Sequence, residues 1–122
     1  MFQPKRILPA EWEPQRAVMI TWPNAETDWA PYLTEITQTY IILAKIIAQH
    51  EKLIIAAQNP EDVGHAISTM LTDEEMARTS IYPCPINDTW ARDHGPITVK
   101  DTTNGSRLLL DFKFNGWGEK FD

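Results

Sequence analysis

A chain of 122 residues is long enough for one modest core and too short for two, and a net charge of −6 with a pI near 5.0 makes it a poor partner for nucleic-acid phosphates. The single Cys84 cannot close an internal disulfide, which fits a reducing compartment or a simple buried thiol. The opening Met-Phe-Gln-Pro-Lys-Arg runs into Pro9 and Glu11 rather than an apolar stretch, so it does not read as a secretory signal. The longest apolar-rich stretch, residues 40–48, is interrupted by Lys45 and is too short for a bilayer. The expectation is a cytoplasmic protein with neither a membrane nor a nucleic-acid partner, and the acidic balance favours a small cationic ligand.

In chain order, residues 9–16 carry two prolines, Trp12 and two glutamates and read as an extended lead-in. Residues 17–22, Ala-Val-Met-Ile-Thr-Trp, are short, apolar and closed by Pro23, as a buried strand would be. Residues 24–28 offer several helix caps, and Pro31 suits a first turn. Beyond them Leu33, Ile36, Tyr40, Leu43 and Ile47 recur at three- and four-residue spacing, with Glu35, Gln38, Lys45 and Gln49 mostly off the stripe. This predicts an amphipathic helix whose stripe is core. Residues 53–57 form a second strand-length apolar run. Pro60 opens a further helix with Val63, Ile67, Met70 and Leu71 in register, and Thr72-Asp73-Glu74-Glu75 reads as a fresh cap. Ile81 and Tyr82, before Pro83-Cys84-Pro85, make a brief third strand. Residues 98–100 and 107–114 then read as two strands across a turn signalled by Asn104-Gly105. Strand, helix, strand, helix, strand and hairpin describe a single α/β unit over residues 1–122, with no repeat and no linker. Trp12, Trp22 and Trp29 are expected to pack, while Trp117 stands between packing and a pocket wall.

Residues 87–97, Asn-Asp-Thr-Trp-Ala-Arg-Asp-His-Gly-Pro-Ile, gather the chemistry. Asn87, Asp88, Arg92, Asp93 and His94 crowd around Trp90, and Gly95-Pro96 stops any helix. That is too polar for core, and a free surface turn has little use for a tryptophan three residues before a carboxylate. The stretch reads as a short, rigid loop presenting Trp90 and Asp93 into a pocket. A guanidinium is planar, permanently charged and rich in N–H donors, so its pocket needs carboxylate acceptors and a flat face. Asp93 and Trp90 supply one of each. A charge-assisted hydrogen bond contributes about 1.5–3 kcal/mol and a desolvated cation–π contact roughly 0.5–2 kcal/mol, enough to position a substrate but not to break a C–N bond. The plainer reading has Asp93 cap the turn at Gly95 or pair with Arg92, with Arg92 and His94 structural. Asp88, Asp93 and His94 as metal ligands would lack a distant His or Cys, so no metal or other cofactor is expected. Cys84 lies between two prolines with no activator beyond His94, and reads as a structural thiol.

Four blocks in order, Pro9-Ala10-Glu11-Trp12-Glu13-Pro14, Trp22-Pro23, Trp90-Ala91-Arg92-Asp93-His94-Gly95-Pro96 and Phe114-Asn115-Gly116-Trp117-Gly118, resemble the amino-terminal third of agmatine deiminase and its bacterial (Porphyromonas-type) peptidylarginine deiminase relatives. The resemblance implies a pentein-type α/β propeller of about five ββαβ-type modules, of which this chain would be the first and part of the next. It also implies a reaction. A Cys thiolate attacks the guanidinium carbon, a His shuttles protons, ammonia leaves, and water hydrolyses the covalent thiouronium to a urea product. By the same resemblance Asp93 matches the guanidinium-binding aspartate and Trp90 a pocket tryptophan, with Trp117 a third substrate-facing candidate. The nucleophile, the catalytic His and the second carboxylates have no matching motifs here, so the enzyme reading treats the length as a truncation and expects exposed module faces to self-associate. The implied substrate is a small cationic guanidine, agmatine ahead of arginine or peptidylarginine, on a route to putrescine. The rival reading is a non-catalytic α/β binding or assembly module, which explains the short length directly.

Overall fold

The computed structural model describes residues 5–119. Its architecture is two three-stranded sheets, the first packed with helices. The first sheet is parallel, in the order β2 (Ala17–Thr21), β3 (Lys52–Ala57), β4 (Thr79–Pro83). Parallel neighbours need crossover connections. α1 (Leu33–His50), entered through a 3-10 turn at Ala30–Tyr32, supplies the first, and α2 (Pro60–Ser68) with α3 (Asp73–Ala77) supplies the second. The second sheet is antiparallel, with β5 (Ile97–Asp101) between β1 (Arg6–Ile7) and β6 (Arg107–Leu110). Two short helices complete the element list, α4 (Ala91–His94) and α5 (Gly116–Glu119).

The alternation read from the sequence is therefore present, with differences that have physical causes. The core centres on β3, where Leu53, Ile55 and Ala57 have no exposed surface, and it is closed by Ile20, Trp22, Ile41, Val63, Ile67 and Leu71. Burial of each large aliphatic there contributes about 1.5–3 kcal/mol. α1 buries Ile41, Ala44 and Ala48 in this core, and of the expected stripe only Tyr40 and Ile47 pack against it. Tyr40 and Ile47 are partly buried, but Leu43 is 39% exposed. The helix is apolar almost all round between Tyr40 and Ala48, so spacing alone admits several stripes. The side carrying the two alanines, one turn apart, faces the core.

Other expectations are corrected in detail. Trp12 is 88% exposed rather than packed. Residues 24–28 do not cap α1, whose N-cap is Tyr32 without a side-chain bond. Asn24 instead builds its own turn, accepting Glu26 N–H on Oδ1 at 2.7 Å and Thr27 N–H on its carbonyl at 3.1 Å. The strand expected over residues 107–114 ends at Leu110. β1 gave no signal in the sequence because its two residues are held by distant partners, Arg6 opposite Asp101 and Ile7 opposite Lys100. The Asn104-Gly105 hairpin is present, with Gly105 at φ 71°, where a side chain would be strained. No helix among the described residues is long and apolar enough to cross a membrane.

The Thr72 cap is a full capping box. Thr72 Oγ1 accepts Glu75 N–H at 3.2 Å, and Glu75 Oε2 accepts Thr72 N–H at 3.2 Å. Lys45, expected on the solvent side of α1, donates to both Glu75 oxygens at 3.2 and 3.0 Å and to the Met70 carbonyl at 3.1 Å, tying α1 to α3. The hydrogen bond from Lys45 holds the Glu75 carboxyl below its ordinary range, against the opposing effect of burial. A carboxyl lowered on folding stabilises the protein above its unfolded pKa, and that stability is lost as pH falls through the folded value. Thermal unfolding followed across that acid range should show Tm falling with pH, and Glu75→Gln should lower Tm at neutral pH while flattening the acid slope. An unchanged slope in Glu75→Gln would remove Glu75 from the acid response.

Candidate functional site

The carboxyl ends of parallel strands are where open α/β sheets present ligands. In this protein β2 runs out into Trp22-Pro23-Asn24, β3 into Gln58 and β4 into Cys84 and the 84–90 segment. Trp22 is buried, donates its N–H to Ala56 at 2.9 Å and meets Tyr40 edge-on, with ring centroids 5.6 Å apart. Asn24 Nδ2 donates to the Ile86 carbonyl at 3.0 Å and to Gln58 Oε1 at 3.2 Å. Trp29, partly buried as expected of a packing residue, donates its indole N–H to Thr89 Oγ1 at 2.9 Å. Thr89 also hydrogen-bonds the Tyr40 phenol; burial raises that phenol's pKa, with the Thr89 bond opposing and the Asp88 charge reinforcing. The 86–90 segment is thus tied to the 24–29 loop and to α1 before α4 begins.

Asp88 and Asp93, five residues apart, have different fates. Asp88 is buried, and its Oδ2 accepts Trp90 N–H at 3.0 Å, fixing the entry into α4. Asp93 lies on the exposed side of α4, with its N–H on the Trp90 carbonyl at 2.9 Å. Trp90 is the N-cap residue and is 62% exposed. The motif is therefore a helical turn rather than a loop, and Gly95 ends it. Gly95 N–H donates to the Ala91 carbonyl at 2.7 Å, and a Cβ on Gly95 would lie 2.5 Å from that oxygen, so only glycine fits.

Trp90 and Asp93 are both exposed. A groove of about 330 Å³ lies between the ends of β2 and β3, lined by Trp22, Asn24, Leu33, Gln58, Asp62 and Ala66 among others, and one of about 300 Å³ lies beside β1 and the hairpin; Trp90 and Asp93 line neither. Arg92 does not pair with Asp93. Its Nη2 is 3.3 Å from Glu11 Oε1, with both side chains more than four-fifths exposed, so the bridge contributes little. It nevertheless joins the first sequence block to the third. His94 joins the third to the fourth, its ring centroid 6.5 Å from that of Phe114. Its Nε2 is buried without a hydrogen-bond partner among the described residues. Asn115 Oδ1 accepts Gly118 N–H at 3.2 Å, shaping α5; the side chain of Trp117 lies outside the described residues.

Among the described residues no three His, Cys, Asp or Glu side chains gather as a metal site. Cys84 is exposed rather than buried as expected, with Sγ 3.5 Å from the Pro85 carbonyl. Thr89, Asn24 and Trp29 were not singled out by the motif reading. Their partners lie roughly sixty residues away, at separations of 60 and 62, and no local pattern carries that information.

Residues 7–122 match the family described as Porphyromonas-type peptidyl-arginine deiminase. The agmatine deiminase of Stutzerimonas stutzeri is 30% identical over 113 residues, which cover 93% of this chain and 29% of that protein. A candidate agmatine deiminase of Selenomonas ruminantium is 29% identical over 118 residues, 94% of this chain and 30% of that one. Among solved structures, a substrate-bound agmatine deiminase of C. jejuni superimposes with a TM-score of 0.80 at 31% identity, covering 100% of this chain and 34% of its own. A candidate arginine deiminase of Porphyromonas gingivalis gives 0.77 at 41% identity, covering 96% and 33%. The chain spans about 30% of the length of the curated relatives it matches.

If Thr89 anchors the segment, Thr89→Val should strand the Trp29 indole N–H and cost about 1–3 kcal/mol in urea unfolding. Amide exchange at residues 90–94 should accelerate while that of α1 does not. Equal acceleration in both would mean that Thr89 supports the whole domain and not the motif.

Proposed function

The chain belongs to the Porphyromonas-type peptidyl-arginine deiminase family, and from that premise we propose that it forms the guanidinium-facing amino-terminal part of a deiminase that converts agmatine and water to N-carbamoylputrescine and ammonia. The observation that carries this reading is α4. Trp90 and Asp93 stand one turn apart and exposed, the first and fourth blocks meet the turn through Glu11–Arg92 and Phe114–His94, and Asn24, next to the second block, holds the approach at Ile86. An aromatic face and a carboxylate at that separation suit a planar cation. Asp93 is the guanidinium-orienting carboxylate, Trp90 the stacking face and Trp117 a further substrate contact. The remaining wall, the Cys nucleophile and the proton-shuttling His come from elsewhere in the whole protein, in a propeller of pentein type of which this unit is the first module. Cytoplasmic putrescine formation is the matching setting.

Support for agmatine comes from the fourth block. Asn115 is followed by Gly116, Trp117 and Gly118, which offer no cation for a substrate carboxylate and none to repel a substrate amine. The second reading, an arginine or peptidylarginine substrate, is supported by the 41% identity to the Porphyromonas gingivalis protein.

The 122-residue chain should release no ammonia from agmatine above background, and activity that disappears in Cys84→Ser would overturn this by making Cys84 the nucleophile. In the whole protein, kcat/KM should rank agmatine above free arginine and a peptidylarginine. Asp93→Asn should lower it roughly ten- to hundredfold through the lost charge-assisted bond. A preference for arginine would replace the substrate assignment, and an unchanged rate in Asp93→Asn would remove Asp93 from the site.

A further inference from the structure

Arg92 is the residue next to Asp93, and its guanidinium is the same chemical group that Asp93 is assigned to hold in a substrate. A carboxylate with a fixed guanidinium beside it attracts a second one less strongly, because the first cation offsets part of its field. The sequence admits a pairing of Arg92 with Asp93, yet in the structure Arg92 turns to Glu11, with Nη2 3.3 Å from Oε1 across a sequence separation of 81. We propose that Glu11 is a positioning residue of the guanidinium site: it holds Arg92 and offsets its charge, so that Asp93 stays open to the cation of the substrate. The inference rests on the deiminase reading above and on the role that reading gives to Asp93.

The place of Glu11 is built into the fold. It lies in a turn that Glu13 N–H closes on the Ala10 carbonyl at 3.0 Å. Before the turn, Arg6 and Ile7 pair with Asp101 and Lys100. After it, the Pro14 carbonyl accepts a bond from Arg107 Nη2 at 3.3 Å, and Gln15 Nε2 donates to Glu51 Oε1 at 3.0 Å. The turn is therefore held on both sides. Arg92 sits in α4, whose approach is fixed by the bonds of Asn24 to Ile86, Trp29 to Thr89 and Asp88 to Trp90. All of these ties join residues of this chain, and none is supplied by another part of the whole protein. An ion pair this exposed contributes little to folding, so its consequence falls on the carboxylate beside it. Arg92 and Asp93 by themselves are neutral together, and Glu11 makes the group of three acidic, as a site for a cation requires.

Steady-state kinetics of the whole protein on agmatine test this. Glu11→Gln keeps the size of the side chain and removes its charge; it should raise KM about three- to tenfold and leave kcat within about twofold. In an Arg92→Gln background the same change should have no further effect on KM, because the cation that Glu11 offsets is gone. The product, N-carbamoylputrescine, carries a neutral urea where agmatine carries its guanidinium. Its inhibition constant should therefore rise less in Glu11→Gln than the KM of agmatine does, whereas a displaced turn would weaken both alike. An unchanged KM in Glu11→Gln, the same rise with Arg92→Gln present, or an equal rise for substrate and product would each overturn the proposal, and the deiminase reading would survive so long as Asp93→Asn lowers kcat/KM. An unchanged rate in Asp93→Asn would overturn both.

Discussion

The Thr89 hydroxyl accepts the Trp29 indole N–H and meets the Tyr40 phenol at a point where the chain has left β4 and has not yet entered α4. Four residues of helix have no stability of their own, because nucleating the first turn costs more than its few hydrogen bonds return. α4 exists because its approach is fixed from outside. Asn24 holds Ile86, Trp29 and Tyr40 hold Thr89, and the buried Asp88 carboxylate takes the Trp90 N–H. Since Trp22 belongs to the core and Tyr40 packs against it, the position of Trp90 and Asp93 is set by the same packing that orders the parallel sheet.

The two aspartates of the motif sit at different depths. Asp88 is buried and committed to a backbone donor, so it is a structural acceptor. Asp93, one turn on, stays exposed where a cation can reach it. The motif reading gave the chemistry to Asp93, and nothing in the residue types separated the two. Depth did, and depth is a property of the fold.

What was legible in the sequence was mostly local. The strand-length apolar runs, the Pro60 helix start, the Thr72 cap and the Asn104-Gly105 turn all rest on interactions within a few residues, and all are present. The face of α1 was misread because Ile41, Ile42, Leu43, Ile46 and Ile47 satisfy more than one helical stripe, and the choice was made by how closely Ala44 and Ala48 admit β3. Trp12 was misread because a large aromatic ring suggests burial, whereas its neighbours are turn and proline residues with no face to pack on. The site was legible as a set of residue types and illegible as a place. The ties that locate it span sixty residues or more.

β1 bears on the order in which the fold assembles. Thr102 donates both its N–H and its hydroxyl to the Lys5 carbonyl across a sequence separation of 97, whereas β5 and β6 meet across a tight turn. Closing the long loop costs more chain entropy than closing the short one, and a two-residue strand returns little for it. The amino terminus therefore docks last, onto a hairpin already formed, and comes away first. That makes β1 a latch, and the segment from Pro9 to Glu13, with the Glu11 partner of Arg92, rides on its opening and closing.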